Sequence, residues 1–195
     1  MRLAHCDDLF LKFFDPWLDD ELRKRRVFKA TRPDMETIAE WKGLSSEELA
    51  RLSEDGEAEV HNQIQSMVDA ATEDWVEFLS VSPPITLDWI DAFDRYYTRE
   101  EIAKVIDRSH PSDYSNEYLV LCCEFGAVLG RCLIDLNPGL FWLPDYPYWE
   151  TPVFDSKSGS LINVFSWAVK KMSEYGVDDG FKAKALKCLE VIEEI

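Results

Sequence analysis

Few of the residues able to do chemistry stand at spacings that chemistry uses. Cys122 and Cys123 are adjacent, as in a strained redox disulfide. On a helix, however, neighbours point about 100° apart, and packing as small apolar side chains is the simpler use. Glu57 and His61, four residues apart, share a helix face and could begin a metal site, but no second pair completes it. Asp88, Asp91 and Asp94 recur every third residue. They could collect a divalent cation, or they form a solvated face opposite Trp89 and Phe93. His110 lies beside Ser109 and Ser112, a base near two hydroxyls. There is no Gly-x-Ser-x-Gly elbow, and a His before Pro is ordinary in a turn. Glu124 sits within the most apolar run and is the carboxylate best placed for a perturbed pKa. No Cys-x-x-Cys, His-Glu-x-x-His or glycine-rich phosphate loop is present. No enzyme signature results. Catalytic, cofactor-binding and metal-binding residues are left unassigned, and no cofactor is expected.

The elements that must position these residues are mostly helical. Glu117–Leu136 reads as a core helix, with Glu117, Glu124 and Arg131 seven apart and nearly all the rest apolar. Gly126 and Gly130, one turn apart, let another element approach closely, at a helix cost of ~1 kcal/mol each that packing must offset. Upstream, Leu9, Phe10, Phe13 and Phe14 share a helical face. Asp15-Pro16 reads as an N-cap followed by a first-turn proline, opening a helix over about 16–30. Its basic cluster Arg23–Arg26 reads as a solvated face. Short helices are expected from Pro33 to Lys42 and after the capping box Ser45-x-x-Glu48. Residues 57–79 give the clearest amphipathic pattern, with Val60, Ile64, Val68, Ala71 and Trp75 on one side. Helices follow from Thr86 and from the capping box Thr98-x-x-Glu101. After Asn137-Pro138-Gly139 the chain turns aromatic and proline-punctuated. Strands are expected at 140–143, 148–154 and 160–163, then helices from Val164 and over about 178–195.

The predicted fold is therefore α+β and predominantly α-helical. A helical core surrounds a buried helix at about 117–136, with a small antiparallel sheet of two or three strands at about 140–163. The expected organisation is a single domain, 1–195, with 1–56 as a helical annex on a core of 57–195.

Charge is the strongest global signal: 38 acidic residues against 21 basic ones, net −17. Residues 44–116 hold 17 acids and 5 bases, whereas residues 1–43 balance at 9 and 9. Such a field repels nucleic acid and anionic membranes and speeds encounter with a basic protein. It also serves plain solubility. The five cysteines are odd in number and lie in apolar helical contexts, which fits reduced thiols in the cytoplasm. The first residues do not read as a signal peptide.

The region from about 117 to 175 resembles small bacterial immunity-type domains, found beside secreted toxins. The resemblance rests on the GAVLG segment from Gly126 to Gly130, the Phe141-Trp142 strand, a second strand near Pro152-Val153, and a helix opening at Asn163-Val164-Phe165. Val164 stands where that family usually has Pro. The resemblance implies no catalytic residues. Together with the charge, it gives the expectation of an acidic cytoplasmic inhibitor that occludes a basic protein such as a toxin. The carboxylates expected to meet it are Glu47, Glu54, Glu57, Glu59, Asp88, Asp91 and Asp94. The rival is a hydrolase-like or metal-dependent enzyme, its site between the core helix and the aromatic strands and drawing on Glu124, His110 or the aspartate row. A third possibility is an adaptor subunit of a larger assembly. Oligomeric state is left open.

Overall fold

Two glycines on one side of Glu117–Leu136 and one carboxylate on the other decide what packs where. In the structure, a computed structural model that describes residues 2–23, 42–43, 57–145 and 147–193, this stretch is one unbroken helix. The elements are α1 (Cys6–Phe13), a 3-10 turn (Asp15–Trp17), α2 (Glu57–Phe78), α3 (Leu87–Tyr96), α4 (Arg99–Arg108) and α5 (Glu117–Leu136). Then come β1 (Leu140–Trp142), a second 3-10 turn (Tyr148–Glu150), β2 (Val153–Asp155), β3 (Ser160–Ile162), α6 (Val164–Lys171) and α7 (Phe181–Glu193). Helix dominates, with a small three-stranded antiparallel sheet, as the α+β reading requires.

The strand order is β1-β2-β3, with Phe141 opposite Phe154 and Phe154 opposite Leu161. The expected second strand, 148–154, is split. Tyr148–Glu150 coils into a 3-10 turn and pairing begins at Val153. Thr151 ties this turn locally, its hydroxyl donating to Asp145 O and accepting from Asp145 N.

Helix α5 is buried on nearly every side, and α2 and α6 are its principal neighbours. A β-carbon on Gly126 would lie 2.5 Å from Phe165 Cδ1 and 3.0 Å from Phe165 Cα. One on Gly130 would lie 2.0 Å from the Trp142 ring. The missing side chains are thus replaced by α6 and β1, and the stacked Trp142–Phe165 pair fills the space. The start of α5 is fixed by Asn116, whose Oδ1 accepts from Leu119 N, and by Ser109, whose Oγ accepts from Tyr118 N.

The amino-terminal residues join the same core. Leu3, Leu9, Phe13, Phe14 and Leu18 are buried in it, and Phe13 stacks on Tyr118 at 4.6 Å. The helix expected from Pro16 does not start there. The first turn closes at Trp17, Leu18 is extended, and Asp19 Oδ1 accepts from Leu22 N as the next helical turn begins. Asp15 is instead bound by Arg23, which donates to its carboxylate and its carbonyl. The Pro33–Lys42 helix, apart from Lys42, and the Ser45 capping box lie outside the described residues, as do Lys24–Arg26.

Candidate functional site

Helix α2 has two faces of opposite character. At 100° per residue, Val60, Ile64, Val68, Ala71 and Trp75 fall together, and all are buried. The opposite arc, about 140° wide, holds Glu59, Asp69, Glu73, Asp74 and Glu77, all exposed. Glu59 and Glu73 are two heptads apart, with exposed Ser66 midway, and Glu77 follows one turn later. No described cation pairs with any of the five; Glu59 and Asp69 accept only from Gln63 and Gln65 of the same helix.

Most other exposed acids are engaged, although Asp8 on α1, Asp107 on α4 and Asp113, held only by Ser115, have no described cation. Asp88 pairs with Lys182 at 2.6 Å, Asp91 with Arg95 at 3.5 Å, Asp135 with Arg131 at 2.9 Å and Glu117 with Arg108 at 2.6 Å. Arg99 bridges Glu174 and Asp178. Among the described residues, the outer face of α2 is therefore where five uncompensated carboxylates gather on one element.

Of the carboxylates expected to meet a partner, Glu47 and Glu54 lie outside the described residues, as does the side chain of Glu57, the first residue of α2. Glu59 is exposed on the α2 face. The aspartate row keeps the solvated face expected of it at Asp88 and Asp91, which form surface ion pairs, and departs from it at Asp94, which is 11% exposed and turns inward. Its Oδ1 lies 3.0 Å from the ammonium of Lys171, itself 1% exposed, and its Oδ2 accepts from Phe181 N at 2.7 Å, at the start of α7. Burial pushes the Asp94 carboxyl above its ordinary value, against the pull of Lys171. The physical reason for the departure is register. Asp94 follows the buried Phe93, and α7 packs on α3 where only an acid can satisfy both Lys171 and the helix start. Asp69, Glu73, Asp74 and Glu77 are absent from the carboxylates expected from the sequence, although their positions opposite the apolar stripe of 57–79 carry the signal.

The remaining chemistry-bearing residues are not brought together. Glu124 points to α2, away from Gly126 and Gly130 and hence from the strands, and its Oε2 accepts from Trp75 Nε1–H at 2.9 Å. Its burial, partly offset by that bond, pushes its carboxyl up to about 7. His110 and Ser112 meet, with Ser112 Oγ 2.8 Å from His110 Nδ1, but both are exposed and span one turn. Ser109 is spent on the start of α5. All five thiols are free, and four are buried. Burial holds Cys122, Cys123 and Cys132 well above the ordinary thiol range, the opposite of what a reactive cysteine needs. His5, Cys6 and Asp7 bring three metal-type donors within 4.8 Å of one another. They are already used to begin α1, His5 Nδ1 accepting from Asp7 N at 3.3 Å and the thiol donating to Asp7. A shallow groove of ≈ 580 Å³ runs along residues 79–95, past Trp89, Asp91 and Arg95, and holds none of these other groups.

No described helix is long and apolar enough to cross a membrane. No protein-family model matches the chain, and no curated protein or solved structure matches it significantly.

Proposed function

We propose that this chain is a cytoplasmic binding protein of the immunity or inhibitor kind, occluding a basic protein partner through the outer face of α2. The observation that carries the reading is the contrast in pairing. Exposed carboxylates on α3, α5 and the segment before α7 have cationic partners and the unpaired Asp8 and Asp107 stand singly, whereas Glu59, Asp69, Glu73, Asp74 and Glu77 share one face with no cation among the described residues. Like charges held on one rigid face repel one another and cost stability, and a cationic surface relieves that repulsion. Such a face steers encounter, while apolar side chains at its edges supply the holding contacts. Val76, 37% exposed, lies at one edge; at the other is Phe78, with the 45% exposed Tyr96 against it.

The test is a pull-down from the native host with the parent chain and with the triple variant Glu59→Gln, Glu73→Gln, Glu77→Gln as baits. The expected result is one stoichiometric basic protein held by the parent, released by salt and largely lost from the variant. Equal recovery on both baits would overturn the assignment to α2.

A further inference from the structure

The α2–α5 interface buries a carboxylic acid and offers its negative charge a single neutral donor. Glu124 is 2% exposed, and its hydrogen-bond partner is the neutral indole of Trp75. The groups acting on it from α2 are Trp75 and the like-charged Asp74. Tyr97, after α3, and Tyr148, in the second 3-10 turn, are phenols that its charge would disfavour ionising. Cys123, beside it on α5, is a buried thiol. No described cation is bonded to it. Around the indole the surroundings are aromatic, with Phe93 4.8 Å from Trp75 and Phe125 4.7 Å from Phe93. An ionised carboxylate there loses water and gains one neutral donor, so the structure favours the protonated acid.

Trp75 lies one turn from the end of α2 at Phe78, and residues 79–86 that follow form neither helix nor strand. That end of α2 is bordered by a loop rather than by another helix or strand, and its opening would withdraw Trp75 from Trp89 and Phe93 of α3. We propose that the proton on Glu124 latches the carboxy-terminal turns of α2 onto α5, and that its loss in mildly alkaline solution frees them. The like-charged Asp74, on the same turn as Trp75, adds to the push. The midpoint falls near neutrality, where burial sets the Glu124 carboxyl. The latch does not rest on the partner reading, although the same helix carries that face.

Amide hydrogen exchange on the full chain tests this at pH 6 and 8.5, after correction for intrinsic exchange. Protection over residues 71–79 should fall by ~10-fold between the two, since the opening equilibrium gains tenfold for each pH unit up to the midpoint, and pH 6 lies about one unit below it. Protection in α7 should stay constant, and Glu124→Gln should abolish the change. An unchanged α2, a fall shared equally by α7, or the same fall in the variant would each overturn the latch. If the variant does not fold, the parent's infrared spectrum decides. A protonated carboxyl band must disappear over the same pH range as the protection, and its absence at pH 6 would refute the proposal.

Discussion

Substituting Gly126 by Ala asks whether the close approach of α6 to α5 is structural. Helix propensity alone favours the change by ~1 kcal/mol. Against it, the new β-carbon would meet Phe165 Cδ1 at 2.5 Å and Phe165 Cα at 3.0 Å. The ring can rotate, but the Cα belongs to the first turn of α6, which must retreat by ~0.5 Å or more to reach ordinary contact. That retreat also disturbs the Phe165–Trp142 stack and the Phe165–Tyr148 contact. Overpacking of this kind costs ~1–3 kcal/mol, and the contact with backbone places Gly126 at the upper end. The expected net loss is therefore ~1–2 kcal/mol, or a melting temperature lower by roughly 3–6 °C for a chain of this size. Gly130→Ala should cost less, because its obstacle is the far edge of the half-buried Trp142 ring, which can swing aside. Urea denaturation followed by tryptophan fluorescence measures both, with the midpoint falling at constant slope. A Gly126→Ala variant as stable as the parent would refute the close-approach argument.

Asp94→Asn should destabilise by ~3–5 kcal/mol, because it strands the buried Lys171 ammonium, whereas Asp88→Asn, on the surface, should barely move the melting curve. Glu124 gives a pH dependence of definite sign. Its carboxyl lies at about 7 when folded against 4.5 in the exposed chain, so burying it as the anion costs about 3 kcal/mol above pH 7 and nothing well below 4.5. The stability of Glu124→Gln relative to the parent should therefore rise between pH 5 and 8, and a pH-independent difference would contradict the burial argument. All five thiols should titrate as free after denaturation without reductant, and reductant should leave the melting temperature unchanged. In the folded protein the half-buried Cys188 should react first.

Much of this was legible because it is local. The bounds of α5, the amphipathic run of α2 and the caps at Thr86 and Thr98 follow from periodicity and hydrogen-bonding side chains within a few residues. The glycine pair announced a close approach, but not which residues would make it; Phe165 and Trp142 come from elements later in the chain. The failures have the same origin. Asp15 had every local mark of an N-cap, yet Arg23 claims it and the cap passes to Asp19. Asp94 was in step with two surface aspartates, and only the arrival of α7 and Lys171 made it a buried pair. Of the acidic face of α2, the sequence singles out Glu59, while the positions of Asp69, Glu73, Asp74 and Glu77 opposite the apolar stripe carry the signal for the rest. Charge density in the sequence points to the run Glu47–Glu59, whereas the absence of counter-charge is a property of the folded surface and is not legible in it.

The central claim, that the outer face of α2 meets a basic partner, is tested most directly by association kinetics with the captured protein. Parent and triple variant (E59Q, E73Q, E77Q) would be compared at about 0.01 M salt, where charges act over ~30 Å, and at about 1 M, where they act over ~3 Å. The account predicts association slower by about tenfold for the variant at low salt, convergence of the two at high salt, and little change in dissociation. Equal association rates at low salt would contradict it.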